Sequence, residues 1–177
     1  MSRYTFGPVP SRRLGRSLGV NNIPYKHCSY SCVYCQLGRT PVREVERRFF
    51  YPPREVAGEV VERVSNLRGE VDYVTFVPDG EPTLDLNLGV IAEAVKREVD
   101  VPLAVLSNTS LVYREDVQSD LETLDLVSLK LDTVIPETWL KVNRPHPSLE
   151  LGEITWGLEE FSKHYRGTLI LEIMLVR

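Results

Sequence analysis

The chain has 177 residues, of which 42% are hydrophobic, 26% charged and 8% aromatic, with a formal net charge of −4; by length this is one ordinary domain, able to bury about two-thirds of the surface its unfolded chain exposes. Normal apolar content with a small net charge excludes intrinsic disorder, and the best apolar run, Thr168 to Val176, carries Glu172 and is nine residues long, too short for a spanning helix of about twenty. The N-terminal MSRYTFGPVPSRRLG lacks a continuous apolar stretch, so no secretory signal is expected, and a cytoplasmic protein with no membrane partner is.

Leu18–Asn22 is a short apolar stretch that leads into a loop holding every cysteine. Glu55–Arg68 places Val56, Val60, Val61, Val64 and Leu67 on one helical face, with Gly69 as its stop. Val71–Val77 is β-branched and aromatic and reads as a strand. Leu86–Val99 reads as a helix with Leu88, Ile91, Ala92, Val95 and Val99 inward, and Pro102–Ser107 as a buried strand. A short helix near Arg114–Leu121 precedes a strand at Leu124–Leu131. A helix over Ser148–Tyr165 turns Leu151, Ile154, Leu158 and Phe161 inward, Gly167 ends it, and Thr168–Val176 is the last strand.

Alternating strands and helices predict a single α/β domain over residues 1–177 with parallel strands joined by right-handed crossovers. In such sheets the working residues gather at the C-terminal edge. The cysteine loop, Pro78–Leu84, Ser107–Ser110 and Leu129–Asp132 each close one of four successive strands there. Charge is unevenly spread: residues 1–54 hold ten Lys/Arg against two Asp/Glu, and residues 55–177 eleven against twenty-three. The basic segment fits either an anionic or nucleic-acid partner or arginines paired with the acidic remainder.

Cys28, Cys32 and Cys35 are all the cysteines of the chain. An odd, clustered set in a cytoplasmic chain argues against a disulfide framework and for metal ligation. A closed zinc site wants four ligands, and His27 is the one neighbour that would complete a Cys3His set, with awkward geometry. Thiolates also hold iron–sulfur clusters, ordinarily four to a cluster, so three would leave one iron open.

The C-x3-C-x2-C run with Tyr34 before its last cysteine resembles the signature of the radical S-adenosylmethionine (radical SAM) superfamily. The resemblance implies a 4Fe–4S cluster on Cys28, Cys32 and Cys35. Its open iron would chelate S-adenosylmethionine, and one electron would cleave that cofactor to a 5′-deoxyadenosyl radical that abstracts hydrogen from a substrate. It also implies a partial (β/α)6 barrel and a one-electron donor of the flavodoxin or ferredoxin type. Gly80 and Glu81 resemble the superfamily's Gly-Gly-Glu motif, which receives the amino group of S-adenosylmethionine, with Asp79 where the first glycine stands. Ser107 and Asn108 resemble residues used around the cofactor's ribose and carboxylate, and Tyr34 lies where it stacks near the adenine or packs beneath the loop. Lys130 and Asp132, two apart at a strand end, share a face, either to meet cofactor or substrate or to pair with each other or with Glu172.

PSRRLGRSLGVNNIP, QLGRT, FVPDGEPTLD and NRPHPSL together resemble the branch related to 4-demethylwyosine synthases, which implies a transfer-RNA base as substrate; the additional cysteine cluster of the archaeal wyosine enzymes is absent. Arg144–Pro145–His146–Pro147 reads as a rigid surface loop within reach of substrate. The family's barrel has six strand–helix units and five strands are counted here, with Arg177 following the last of them. The expectation is either a barrel truncated after its fifth strand or an open sheet edge covered by a partner or a second copy. The alternatives to an enzyme are a non-catalytic zinc or iron–sulfur module that binds RNA, and a truncated remnant that keeps its fold but not its cofactor.

Overall fold

The structure, a computed structural model, describes residues 2–176. Six strands form one sheet in the order β1-β2-β3-β4-β5-β6: β1 (Thr5–Ser11), β2 (Gly15–Val20), β3 (Tyr73–Phe76), β4 (Leu103–Ser107), β5 (Leu126–Lys130) and β6 (Thr168–Glu172). From β2 onward every pairing is parallel. Helices α1 (Pro53–Asn66), α2 (Leu88–Lys96), α3 (Glu115–Glu122), α4 (Pro136–Val142) and α5 (Leu151–His164) fill the crossovers. This is the expected α/β partial barrel with its five parallel strands.

Two elements were not expected. β1 pairs antiparallel with β2 as a hairpin. Its Pro8 and Pro10 argue against a central strand, but an edge strand tolerates them because one side of its ladder is unused. The hairpin is latched to α1 by Glu59, whose carboxylate accepts the backbone N–H groups of Arg3, Tyr4 and Thr5. The second is α4, a short helix whose one buried side chain is Trp139, too little apolar periodicity to show in sequence. Its indole donates to the Tyr30 hydroxyl at 3.2 Å, beneath the cysteine loop.

The core lies between sheet and helices. Val56 and Val60 of α1, Ile91 and Val95 of α2, and Ile154 and Phe161 of α5 are fully buried against Leu18, Phe76, Val105 and Leu129. The last strand is shorter than the sequence suggested. β5 ends at Lys130, so residues after Glu172 have no ladder partner, and Ile173 and Leu175 are exposed. β6 is paired to β5 alone among the described residues, which is the open edge the strand count anticipated. The chain end at Arg177, on which the truncation expectation rested, lies outside the described residues.

Candidate functional site

Cys28, Cys32 and Cys35 follow β2 at the C-terminal edge and line a cavity of about 290 Å³ together with Gly80, Glu81, Ser107, Asn108 and Lys130. The C-terminal ends of four successive strands, with the loops that follow them, therefore meet at one place. Arg13, Ser128 and Glu172 complete the wall. An adjoining cavity of about 360 Å³ shares Cys28, Tyr34, Cys35, Gly80 and Lys130 and adds Lys26, Asp79 and Met174.

The cysteine loop is braced rather than free. Glu44 donates its N–H to the Cys28 carbonyl at 3.1 Å, Val33 donates to Val142 O at 2.9 Å and His146 donates to Ser29 O at 2.8 Å. The Arg144–Pro147 loop, read as a surface feature, is thus the strap that holds the cysteines in place. Ser29 and Ser110 hydroxyls meet at 2.5 Å, joining the loop to the end of β4.

Gly80 is required by a close approach. A Cβ there would lie 2.1 Å from the His27 carbonyl oxygen, so any other residue would push the cysteine loop away from β3. The approach is to the chain itself, and it is fixed by the Glu81 N–H donating to His27 O at 2.9 Å.

Glu81 is almost fully buried. Its Oε1 accepts Thr83 N, Thr83 Oγ1 and Ser107 Oγ at 3.1, 2.6 and 2.7 Å. Its Oε2 accepts Asn108 N at 2.7 Å and keeps a free lone pair beside the cavity. Burial raises its pKa, against the pull of the donors from Thr83, Asn108 and Ser107. Glu81 and Ser107 therefore bond each other, in a bracket that locks the β3 and β4 loops together.

Lys130 reaches the cavity and Asp132 does not. Lys130 Nζ sits 5.0 Å from the centroid of the Tyr34 ring, a cation–π contact. Asp132, beyond the end of β5, is held by the Tyr34 hydroxyl and by Asn143 Nδ2 at 2.6 Å. Burial, with Asp132 close by, raises the Tyr34 pKa far above its ordinary value. Tyr34 is thus held between Lys130 and Asp132 and lines both cavities.

Burial pushes the Cys28 thiol up to about 12, with the Glu81 carboxylate adding to it, and burial raises Cys32 as well. Thiols so placed are protonated at neutral pH, and binding a metal ion, which displaces the proton, is a general route by which such groups take up charge. Each sulfur also meets an N–H donor: Asn108 Nδ2 at 3.5 Å from Cys28, Asn143 Nδ2 at 3.6 Å from Cys32, and Lys26 Nζ at 3.2 Å from Cys35. Lys26, Asn143 and Arg13 were missed in the sequence, where nothing but the nearness of Lys26 to Cys28 marks them. His27, the candidate fourth ligand, is turned to Glu44 and Arg48 and lines neither cavity.

Part of the basic first segment is engaged within the fold. Arg13 pairs with Glu172, Arg16 with Asp72, and the buried Arg47 with Asp116 and Asp120.

A partly open parallel barrel with three thiols and a Gly-Glu loop on one cavity defines a class. The chain belongs to the Radical SAM superfamily, whose profile matches residues 22–177. A UPF0026 protein of Methanocaldococcus jannaschii is 52% identical over 172 residues, 97% of this chain and 53% of that protein. A protein of Brachyspira hyodysenteriae named GTPase Obg is 36% identical over 176 residues, 99% of this chain and 26% of that one. The chain thus spans about half the length of the first relative and about a quarter of the second. A solved structure of TYW1 with a lysine–pyruvate adduct bound has the same fold, with a TM-score of 0.63 at 16% identity, over 88% of this chain and 55% of that one.

Proposed function

We propose that Cys28, Cys32 and Cys35 hold a 4Fe–4S cluster with one open iron, and that S-adenosylmethionine binds beside it in the cavity walled by Gly80, Glu81, Ser107 and Asn108. When bound, the pair supplies a 5′-deoxyadenosyl radical by one-electron cleavage of the sulfonium. The observation that carries this reading is that three thiols and one buried carboxylate from separate strand ends line a single cavity.

The donor set suits the group. Three soft sulfurs, each hydrogen-bonded by an amide or an ammonium, match the ligation and outer shell of an iron–sulfur centre. Oε2 of Glu81 has a lone pair for the cofactor's ammonium, and in a dry site such a contact is strong. Asn108 Nδ2 faces Cys28 and Ser29, so its side chain supports the loop, while its backbone N–H fixes Glu81. The strap from Asn143 to His146 keeps the three sulfurs at a set spacing. Lys130 projects into both cavities and makes no ion pair among the described residues, which leaves its charge for an acceptor or anion on the bound molecules. The proposal names the radical-generating half-reaction, which is what the residues lining the cavity carry.

The test is anaerobic reconstitution with iron and sulfide, followed by a strong one-electron reductant and S-adenosylmethionine. Release of 5′-deoxyadenosine, abolished by Cys32→Ser, is expected. Iron near zero with stoichiometric zinc contradicts the reading.

A further inference from the structure

We propose that Lys26 sets the reduction potential of the cluster, its ammonium held against the Cys35 sulfur so that the cluster accepts an electron more readily. This rests on the cluster reading of the three thiols given above.

The three sulfurs are not met alike. Cys28 and Cys32 face the neutral amides of Asn108 and Asn143, whereas Cys35 faces a cation at 3.2 Å. Lys26 is 9% exposed, and a lysine that deep needs an anion. Among the described residues it has no carboxylate partner; its ammonium bonds Gly38 O at 2.5 Å and Cys35 Sγ. The sulfur of Cys35, as a metal-bound thiolate, supplies the missing negative charge.

The backbone is arranged to keep this aim. Lys26 has φ 63°, a left-handed conformation uncommon for a side chain of its kind. Its N–H donates to Asp79 O at 2.7 Å, which ties that conformation to the Gly80 loop. The same lysine therefore reaches Cys35 with its side chain and the cofactor-facing loop with its backbone.

The direction of the effect follows from charge. One electron passes from a low-potential donor of the flavodoxin or ferredoxin class to the cluster; the donor is oxidised, the cluster becomes one unit more negative, and no bond is made or broken. A fixed cation close to one ligand favours the more negative state, and in a partly buried site the effect is weakly screened. Outer hydrogen bonds and nearby charge are recognised levers on such potentials. A change of about tenfold in the reduction equilibrium is expected, which is about 59 mV for a one-electron couple.

The test is an anaerobic redox titration, read by electron paramagnetic resonance, of reconstituted full chain without S-adenosylmethionine. Lys26→Met should carry the same iron and sulfide as wild type and a midpoint about 59 mV more negative. Lys26→Arg should stay close to wild type, and Lys26→Gln, which keeps an N–H donor without the charge, should follow Lys26→Met. Equal midpoints in wild type and Lys26→Met, both fully loaded, overturn the proposal while leaving the cluster in place. A cluster lost in Lys26→Met and Lys26→Gln but kept in Lys26→Arg makes Lys26 a requirement for assembly and likewise overturns a tuning role. Wild type that takes up no iron and sulfide overturns the cluster reading itself, a result distinct from either.

Discussion

Arg47 and Lys26 come from the same basic stretch and both are buried, yet the two regions around them differ in what they offer a cation. Arg47, against α2 and α3, has a side chain 3% exposed and two carboxylates, Asp116 and Asp120, with the carbonyls of Thr83 and Asp85 taking its remaining donors. Lys26, in the cysteine loop, has a carbonyl and a thiol. The first region is electrostatically complete as a folded chain. The second offers its ammonium no carboxylate among the described residues, and on the proposed function the ligated sulfur of Cys35 is what would complete it.

The sharpest way to break this contrast is to remove each cation in metal-free protein. Arg47→Met should cost about 2–4 kcal/mol, because the half-buried Asp120 loses its cation and the carbonyls of Thr83 and Asp85 lose their donor. Lys26→Met should change stability by about 1 kcal/mol or less, since it leaves a neutral thiol and one carbonyl behind. Urea unfolding of both variants checks the pair, and equal losses would mean that Lys26 is as structural as Arg47.

A smaller effect is expected at the bracket between β3 and β4. Glu81→Gln places an amide among donors from Thr83, Ser107 and Asn108, at a cost of about 1–3 kcal/mol. Glu81→Asp, too short to span the same donors, should lose a similar amount. Thermal unfolding reads both.

An effect confined to a pH window concerns Asp85, which lies beside Arg47. Burial raises its carboxyl to about 6, against donors from Asn87 and Asn22. The folded chain therefore binds this proton more tightly than the unfolded chain, whose aspartate titrates near 3.9. The stability this group contributes is present below the unfolded value and lost as pH rises through about 6. Wild type should gain stability relative to Asp85→Asn as pH falls from about 7 to about 4; a constant difference across that window would show that Asp85 does not titrate as its burial dictates.

The same two regions show how far the sequence could be read. Cys28, Cys32 and Cys35 are local in the chain, so their spacing is visible, and the alternation of strand and helix placed Gly80, Glu81, Ser107 and Lys130 at one edge before any coordinates. What supports them is not local. Asn143 reaches Cys32 across 111 residues, and Arg13 reaches Glu172 from the opposite flank of the sheet. The turn of Lys26 into a left-handed conformation depends on Asp79. Nor does periodicity report an edge strand interrupted by prolines, as in β1, or a helix with one buried side chain, as in α4. Asp132 illustrates the converse. Its spacing from Lys130 suggested a shared face, but the strand ends at Lys130 and the alternation ends with it.

The account stands most directly on whether the three thiols hold an iron–sulfur cluster with an open position. Wild-type protein reconstituted without oxygen should carry about four iron and four sulfide per chain, and the electron paramagnetic resonance spectrum of its reduced form should change when S-adenosylmethionine is added. Colourless protein under those conditions, or a cluster spectrum indifferent to S-adenosylmethionine, would contradict it.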